Sequence, residues 1–86
     1  MSKHEKLINK LKSRTVNFTY SELKKLLHGF EYYEIKSGKT SGSRVAFIHS
    51  ETKHIIRLHK PHPNDNLKLY QIDLIISELT ERGLLE

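Results

Sequence analysis

The 86-residue sequence predicts an α+β domain, in which a three-stranded antiparallel sheet has helices on one face. Apolar residues recur at helical spacing near both ends of the chain, whereas the middle holds short β-branched and apolar runs. The predicted order of elements is therefore α-α-β-β-β-α. The length suits a single domain over 1–86, with a helical extension over 1–17 and a core over 18–86.

The two N-terminal helices are indicated by apolar spacing and by a capping motif. A short amphipathic helix is predicted over 3–13, and its apolar residues are Leu7, Ile8 and Leu11. Before the second helix, the hydroxyl of Thr19 can accept from the backbone N–H of Glu22, whose carboxylate can reach back. This capping box predicts the start of the helix, and Gly29 predicts its end.

Strand-like segments occupy the middle of the sequence, over 30–36, 43–49 and 54–59. The four-residue connection at 50–53 predicts an antiparallel hairpin. Two prolines then break the chain, and a last helix is predicted over 69–82, ending at Gly83. Its expected buried face consists of Leu69, Ile72, Ile75, Ile76 and Leu79.

The hairpin connection predicts a register that divides the side chains between two faces. If His49 and His54 flank the turn, the facing pairs are Ile48–Ile55, Phe47–Ile56, Ala46–Arg57, Val45–Leu58 and Arg44–His59. The core face then carries Val45, Phe47, Ile56 and Leu58, and the opposite face carries Arg44, Ala46, Arg57 and His59. Arg44 and His59 are expected to be direct cross-strand neighbours.

Positive charge is concentrated between residues 36 and 62. The formal net charge is +5, and this stretch holds Lys36, Lys39, Arg44, Lys53, Arg57 and Lys60, opposed only by Glu51. Outside it, positive and negative residues cancel. A concentrated positive field attracts polyanions, and nucleic acid is the commonest polyanion in a cytoplasm. A solvated basic loop is the competing interpretation.

The same stretch contains the groups that metal-free RNA cleavage requires. Such cleavage needs a base for the 2′-hydroxyl, an acid for the leaving 5′-oxygen, and positive charge on the phosphate. His59 and His62 are the candidate acid–base residues. The alternative is that both histidines are surface residues that hydrogen-bond a turn. His49 and His54 are expected to be structural or solvated.

Other kinds of site are disfavoured by composition. The sequence has no cysteine, which excludes disulfides and thiolate metal ligands. Because no carboxylate lies at ligand spacing near His54, His59 and His62, neither a metal nor a cofactor is expected. The loop at 37–43 lacks the glycine spacing of a P-loop. With no apolar run long enough for a membrane span and no apolar signal core, a cytoplasmic protein is expected.

Several short segments of the sequence resemble the HicA family of toxins from bacterial toxin–antitoxin pairs. They are Phe18-Thr19-Tyr20-Ser21-Glu22-Leu23, Gly42-Ser43-Arg44, Ile56-Arg57-Leu58-His59-Lys60-Pro61-His62-Pro63, Leu67-Lys68 and Gly83-Leu84-Leu85. The resemblance covers about residues 18–86. It implies a fold like that of a double-stranded-RNA-binding domain, mRNA cleavage by an endoribonuclease (mRNA interferase), and neutralisation by a HicB-type antitoxin.

The sequence departs from the family pattern at one position. Family members usually have Gly-Ser-His or Gly-Thr-His at the start of the second strand, and that histidine is catalytic. Here Arg44 stands in its place, and a guanidinium cannot act as a general base. The predicted function is metal-independent RNA cleavage by His59 and His62, with RNA-binding residues Arg44, Ser43, Arg57, Lys60 and Lys39. The alternative is a module that binds RNA or an antitoxin without catalysis.

Overall fold

The computed structural model of the chain describes residues 3–14, 17–35, 44–60 and 66–85. Its elements are α1 (Lys3–Lys12), α2 (Tyr20–Gly29), β1 (Tyr32–Ile35), β2 (Arg44–His49), β3 (Ile55–His59) and α3 (Leu69–Glu81). The strands form an antiparallel sheet in the order β1-β2-β3. The α+β class and the order α-α-β-β-β-α are therefore confirmed.

The hydrophobic core lies between the three helices and one face of the sheet. α2 packs on β1, α3 packs on β3, and α1 contacts both of these helices. The sheet contributes the buried side chains of Tyr32, Phe47, Ile56 and Leu58. The helices contribute Leu11, Tyr20, Leu23, Leu26, Leu27, Ile72, Ile75 and Leu79.

The hairpin of β2 and β3 has the predicted register, and all five facing pairs are confirmed. Its turn is held by His49, whose Nδ1 accepts the backbone N–H groups of Glu51 and Thr52, each at 3.1 Å. Lys53 completes the turn with a φ of 64°. Because this buried histidine satisfies the turn, its role is structural, as expected.

The capping box of α2 is also confirmed. The hydroxyl of Thr19 accepts from the N–H of Glu22 at 3.1 Å, and the N–H of Thr19 donates to the carboxylate of Glu22 at 3.0 Å. Lys10 of α1 donates to both carboxylate oxygens at 2.9 and 2.8 Å. Although burial raises the pKa of Glu22, these hydrogen bonds hold that pKa below its ordinary value. The cap therefore also fastens α1 to α2.

The end of α2 differs from the expected glycine cap. The helix does end at Gly29, but the residue in the left-handed conformation is Glu31, with a φ of 67°. Gly29 has another role, because a Cβ atom there would overlap the imidazole of His4 in α1 and force that ring to move. That ring also packs edge-on against Phe30, with the ring centroids 4.7 Å apart. The glycine thus permits the close approach of α1.

Two further predictions are corrected by the structure. Leu69 was predicted to face the core, but it is 40% exposed at the start of α3, before the buried stripe begins at Ile72. The first strand begins later than predicted, at Tyr32, because Phe30 and Glu31 form the turn after α2. Gly83, with a φ of 75°, lies just beyond the end of α3, as expected.

The capping box predicts a measurable loss of stability. Thr19→Ala is expected to lower the free energy of unfolding by about 1 kcal/mol, because an N-terminal N–H of α2 loses its acceptor. Urea unfolding followed by circular dichroism measures the difference. Ser21→Ala is the matched control, since this exposed residue lies in the same turn and does not cap the helix. It should change stability by less than about 0.5 kcal/mol; equal losses in both variants would contradict the assignment.

Candidate nucleic-acid interface

The sheet face opposite the core is the candidate interface, and we call it the open face. Its side chains follow from strand alternation and register: Tyr33 and Ile35 from β1, Arg44, Ala46 and Ile48 from β2, and Ile55, Arg57 and His59 from β3. The described helices pack on the opposite face, apart from the ring of His28 in α2, which lies 5.2 Å from that of Tyr33. Tyr33 and Ile35 are exposed on the open face. The open face is therefore accessible to a ligand in the described part of the chain.

The register arranges these side chains in three rows across the strands. The first row is the pair of Arg44 and His59, the second is Ile35, Ala46 and Arg57, and the third is Tyr33, Ile48 and Ile55. Ile35, Arg44, Val45, Ala46, Ile55, Arg57, Leu58 and His59 line a shallow groove of about 510 Å³. The open face is therefore basic at the first row and apolar at the third row.

The charged side chains of the described residues on the open face are all positive. The strands place no acidic side chain on it, because Glu34, their one carboxylate, points to the opposite side. Within the described residues, no ion pair involves Arg44 or Arg57. Both guanidiniums are exposed and retain their donors for an anion. Such planar donors suit bidentate contacts with phosphate oxygens.

His59 carries an exposed imidazole and a fixed backbone. Its carbonyl oxygen accepts a hydrogen bond of 2.7 Å from the amide nitrogen of Gln71, a residue of α3 that is only 4% exposed. The side-chain oxygen of Gln71 in turn accepts from the N–H of Lys68 at 3.0 Å. Gln71 therefore joins the end of β3 to the start of α3. This role of Gln71 has no local signature in the sequence, because it depends on a contact between distant segments.

Lys60 does not lie with the arginines of the open face. Its ammonium lies 5.3 Å from the centre of the Tyr20 ring, on the helix side of the sheet. The Tyr20 hydroxyl donates to Glu34 at 2.7 Å, and Lys24 pairs with the same carboxylate at 3.1 Å. This hydrogen bond lowers the pKa of Glu34, and the charges of Lys24 and Lys60 add to the effect, against the influence of burial. Burial raises the pKa of Tyr20, which keeps its hydroxyl protonated as the donor.

The remaining described histidines have packing roles. The Nδ1 of His54 lies 2.7 Å from the hydroxyl of buried Tyr32, and its Nε2 lies 3.2 Å from the carboxylate of Glu78. His54 is predicted to be structural or solvated, and these contacts make it structural. His28, at the end of α2, packs its ring 5.2 Å from that of Tyr33.

Three predicted site residues, Lys39, Ser43 and His62, lie outside the described residues. Of the others, the structure brings Arg44, Arg57 and His59 together and separates Lys60 from them. Among the described residues, no three His, Asp or Glu side chains are placed to hold a metal ion. No helix in the same part of the chain is long and apolar enough to cross a membrane.

Fold and surface together define a small α+β domain with a basic, uncovered sheet face. A model of the HicA toxin family, from bacterial toxin–antitoxin systems, matches residues 20–80. The match spans well over half of the 86 residues, so the chain belongs to the HicA toxin family. Membership implies an antitoxin as partner. No curated protein and no solved structure matches the chain.

The contacts of Glu34 predict an acid-dependent stability. Because its pKa is lowered in the folded protein, its stabilising contribution is present above the unfolded-state pKa and is lost as pH falls through the folded-state value. Glu34→Gln should therefore show a smaller loss of unfolding free energy between pH 7 and acid pH than the wild type. Urea unfolding at a series of pH values measures it. Tyr20→Phe keeps the Glu34 carboxylate and removes its hydrogen-bond donor, so its loss of unfolding free energy should lie between those of the wild type and Glu34→Gln. An acid dependence in Glu34→Gln equal to that of the wild type would exclude this role of Glu34.

Proposed function

We propose that this HicA-family chain is an endoribonuclease toxin, an mRNA interferase that cleaves RNA without a metal ion in the cytoplasm. Its neutralising partner in this proposal is a HicB-type antitoxin. The observation that carries the proposal is the row of Arg44 and His59, with Arg57 in the next row, on a face without acidic strand residues. An exposed imidazole beside exposed guanidiniums suits proton transfer at a phosphodiester.

In the proposed reaction, His59 takes the proton of a ribose 2′-hydroxyl. The 2′-oxygen attacks the adjacent phosphorus, and the bond from phosphorus to the 5′-oxygen breaks. The second histidine of the pair, His62, supplies the proton to the leaving 5′-oxygen. The products are a 2′,3′-cyclic phosphate and a 5′-hydroxyl, so no metal-bound water is consumed.

Arg44 and Arg57 hold the phosphate and stabilise the negative charge that grows on its non-bridging oxygens. The register supports this role for Arg44, because it is the direct cross-strand neighbour of His59. In this proposal, the general base His59 on β3 thus faces a phosphate-binding cation, Arg44, on β2. Lys39 and Ser43 are proposed as additional RNA contacts around the face. Lys60 is left out of this set, because its ammonium lies on the helix side of the sheet.

Cleavage by the purified full-length protein tests the assignment. Labelled RNA incubated with the wild type in EDTA should be cut, and His59→Ala and His62→Ala should each slow cleavage by about 10²- to 10⁴-fold. Lys25→Ala, an exposed charge change on α2, should keep the wild-type rate. Undiminished cleavage in both histidine variants would remove these residues from the mechanism.

A second candidate function is a module that binds RNA or its antitoxin without cutting RNA. The observation that favours it is Arg44 at the position where family members usually have the catalytic histidine. This candidate predicts that the wild type yields no product and that Arg44→His gains cleavage.

Under the nuclease proposal, the wild type already cleaves, and Arg44→Ala weakens RNA binding. The slope of log affinity against log salt concentration should then become less steep by about 0.7, the value for one lost phosphate contact on a single strand. Fluorescence anisotropy of labelled RNA at several salt concentrations gives this slope. An unchanged slope in Arg44→Ala would exclude the phosphate contact.

A further inference from the structure

We infer that the apolar end of the open face is a subsite for the bases of single-stranded RNA, with Tyr33 as the stacking ring. The inference rests on the proposed function and specifies its substrate class. It assigns a role to side chains that proton transfer and phosphate binding leave unused.

The first observation is the exposure of these side chains. Tyr33 is 48% exposed and Ile35 is 36% exposed, and they lie beside half-buried Ile48 and Ile55 on the same face. In the described part of the chain, the other large exposed apolar side chains, Leu69, Tyr70 and Leu74, all lie on α3. The sheet therefore carries its own separate apolar surface.

The second observation is the position of this surface relative to His59. The rows of Tyr33 and His59 lie four residues apart along β2 and β3, which corresponds to about 13 Å along the strands. Arg57 lies in the row between them. An RNA strand cleaved beside His59 could therefore pass a phosphate over Arg57 and place a neighbouring base on Tyr33.

The chemistry of this surface favours single strands over duplexes. In an A-form duplex the bases are stacked on one another, and proteins contact mainly phosphates and 2′-hydroxyls. An aromatic ring on an open sheet gains stacking energy only from bases that are unstacked, whatever their sequence. A fold like a double-stranded-RNA-binding domain would imply duplex binding, but the side chains of this face suit splayed bases.

The charge pattern distinguishes RNA from a protein as the occupant. Arg44 and Arg57 lie in the two rows next to the apolar end, and the strands place no carboxylate on this face. Cationic groups at one end of the face and apolar groups at the other can hold a phosphate and a neighbouring base of one nucleic-acid strand. The ring of His28, 5.2 Å from that of Tyr33, adds a second aromatic group at the edge of the subsite.

The test measures RNA affinity in the full-length His59→Ala protein, with EDTA present, so that the RNA stays intact. The probes are a labelled, non-self-complementary RNA of about 12 nucleotides and the same strand annealed to its complement. Adding Tyr33→Ala should weaken single-strand binding at least about fivefold and leave its salt dependence unchanged. Tyr33→Phe, which keeps the ring, should retain the affinity.

Tyr70→Ala is the matched control, because Tyr70 is 65% exposed but lies on α3, away from the open face. It should bind the single strand as tightly as the His59→Ala parent. The duplex should bind more weakly than the single strand and show no dependence on Tyr33. Circular dichroism of each variant verifies the fold.

Unchanged single-strand affinity in Tyr33→Ala, or equal losses in Tyr33→Ala and Tyr70→Ala, would overturn the inference. So would a Tyr33→Ala variant that loses binding to a purified HicB-type antitoxin while keeping its RNA affinity. If the wild type does not cut RNA but single-strand binding depends on Tyr33, the proposed nuclease fails and the subsite stands. If the wild type cuts RNA and single-strand affinity does not depend on Tyr33, only the subsite fails.

Discussion

The register of the β2–β3 hairpin is the constraint on which both the core and the candidate interface depend. In the observed pairing, Phe47 and Ile56 are buried while Arg44 and Arg57 face solvent. Since side chains alternate along a strand, shifting one strand by one residue would exchange its two faces. An arginine would then enter the core without a partner, at a cost of several kcal/mol. The turn that resists this shift is itself held by buried His49, which accepts two backbone N–H groups.

This dependence explains how much of the molecule the sequence could predict. The β2–β3 pairing follows from a short connection and strict alternation, which are local properties, so the neighbours Arg44 and His59 could be identified without a structure. The pairing of β1 with β2 could not, because the connecting segment is longer and does not determine a register. As a result, Tyr33 and Ile35 were not recognised as part of the open face. Lys60 was grouped with the arginines by sequence proximity, although it continues the alternation toward the helix side.

Contacts on the helix side hold the sheet so that its other face can remain uncovered. Gln71 connects the end of β3 to the start of α3, and Glu22 connects the cap of α2 to Lys10 of α1. These contacts are partly shielded from solvent, so we expect each to contribute more to stability than the exposed ion pair of Arg14 and Asp73. Neither Gln71 nor the close approach of α1 at Gly29 has a local signature in sequence, because each depends on two distant segments meeting.

The resemblance to the HicA family places Arg44 where a catalytic histidine is expected, and the pairing of β2 with β3 offers a physical explanation for this difference. A phosphodiester site needs a proton-transfer group and a fixed cation a short distance apart. Directly paired strand residues have Cβ atoms about 5 Å apart, so either strand can supply either group to the same phosphate. In the proposed mechanism, His59 and Arg44 divide these roles across the hairpin. What must be preserved is then the pairing that places both side chains on the open face, rather than the identity of the residue at one strand end.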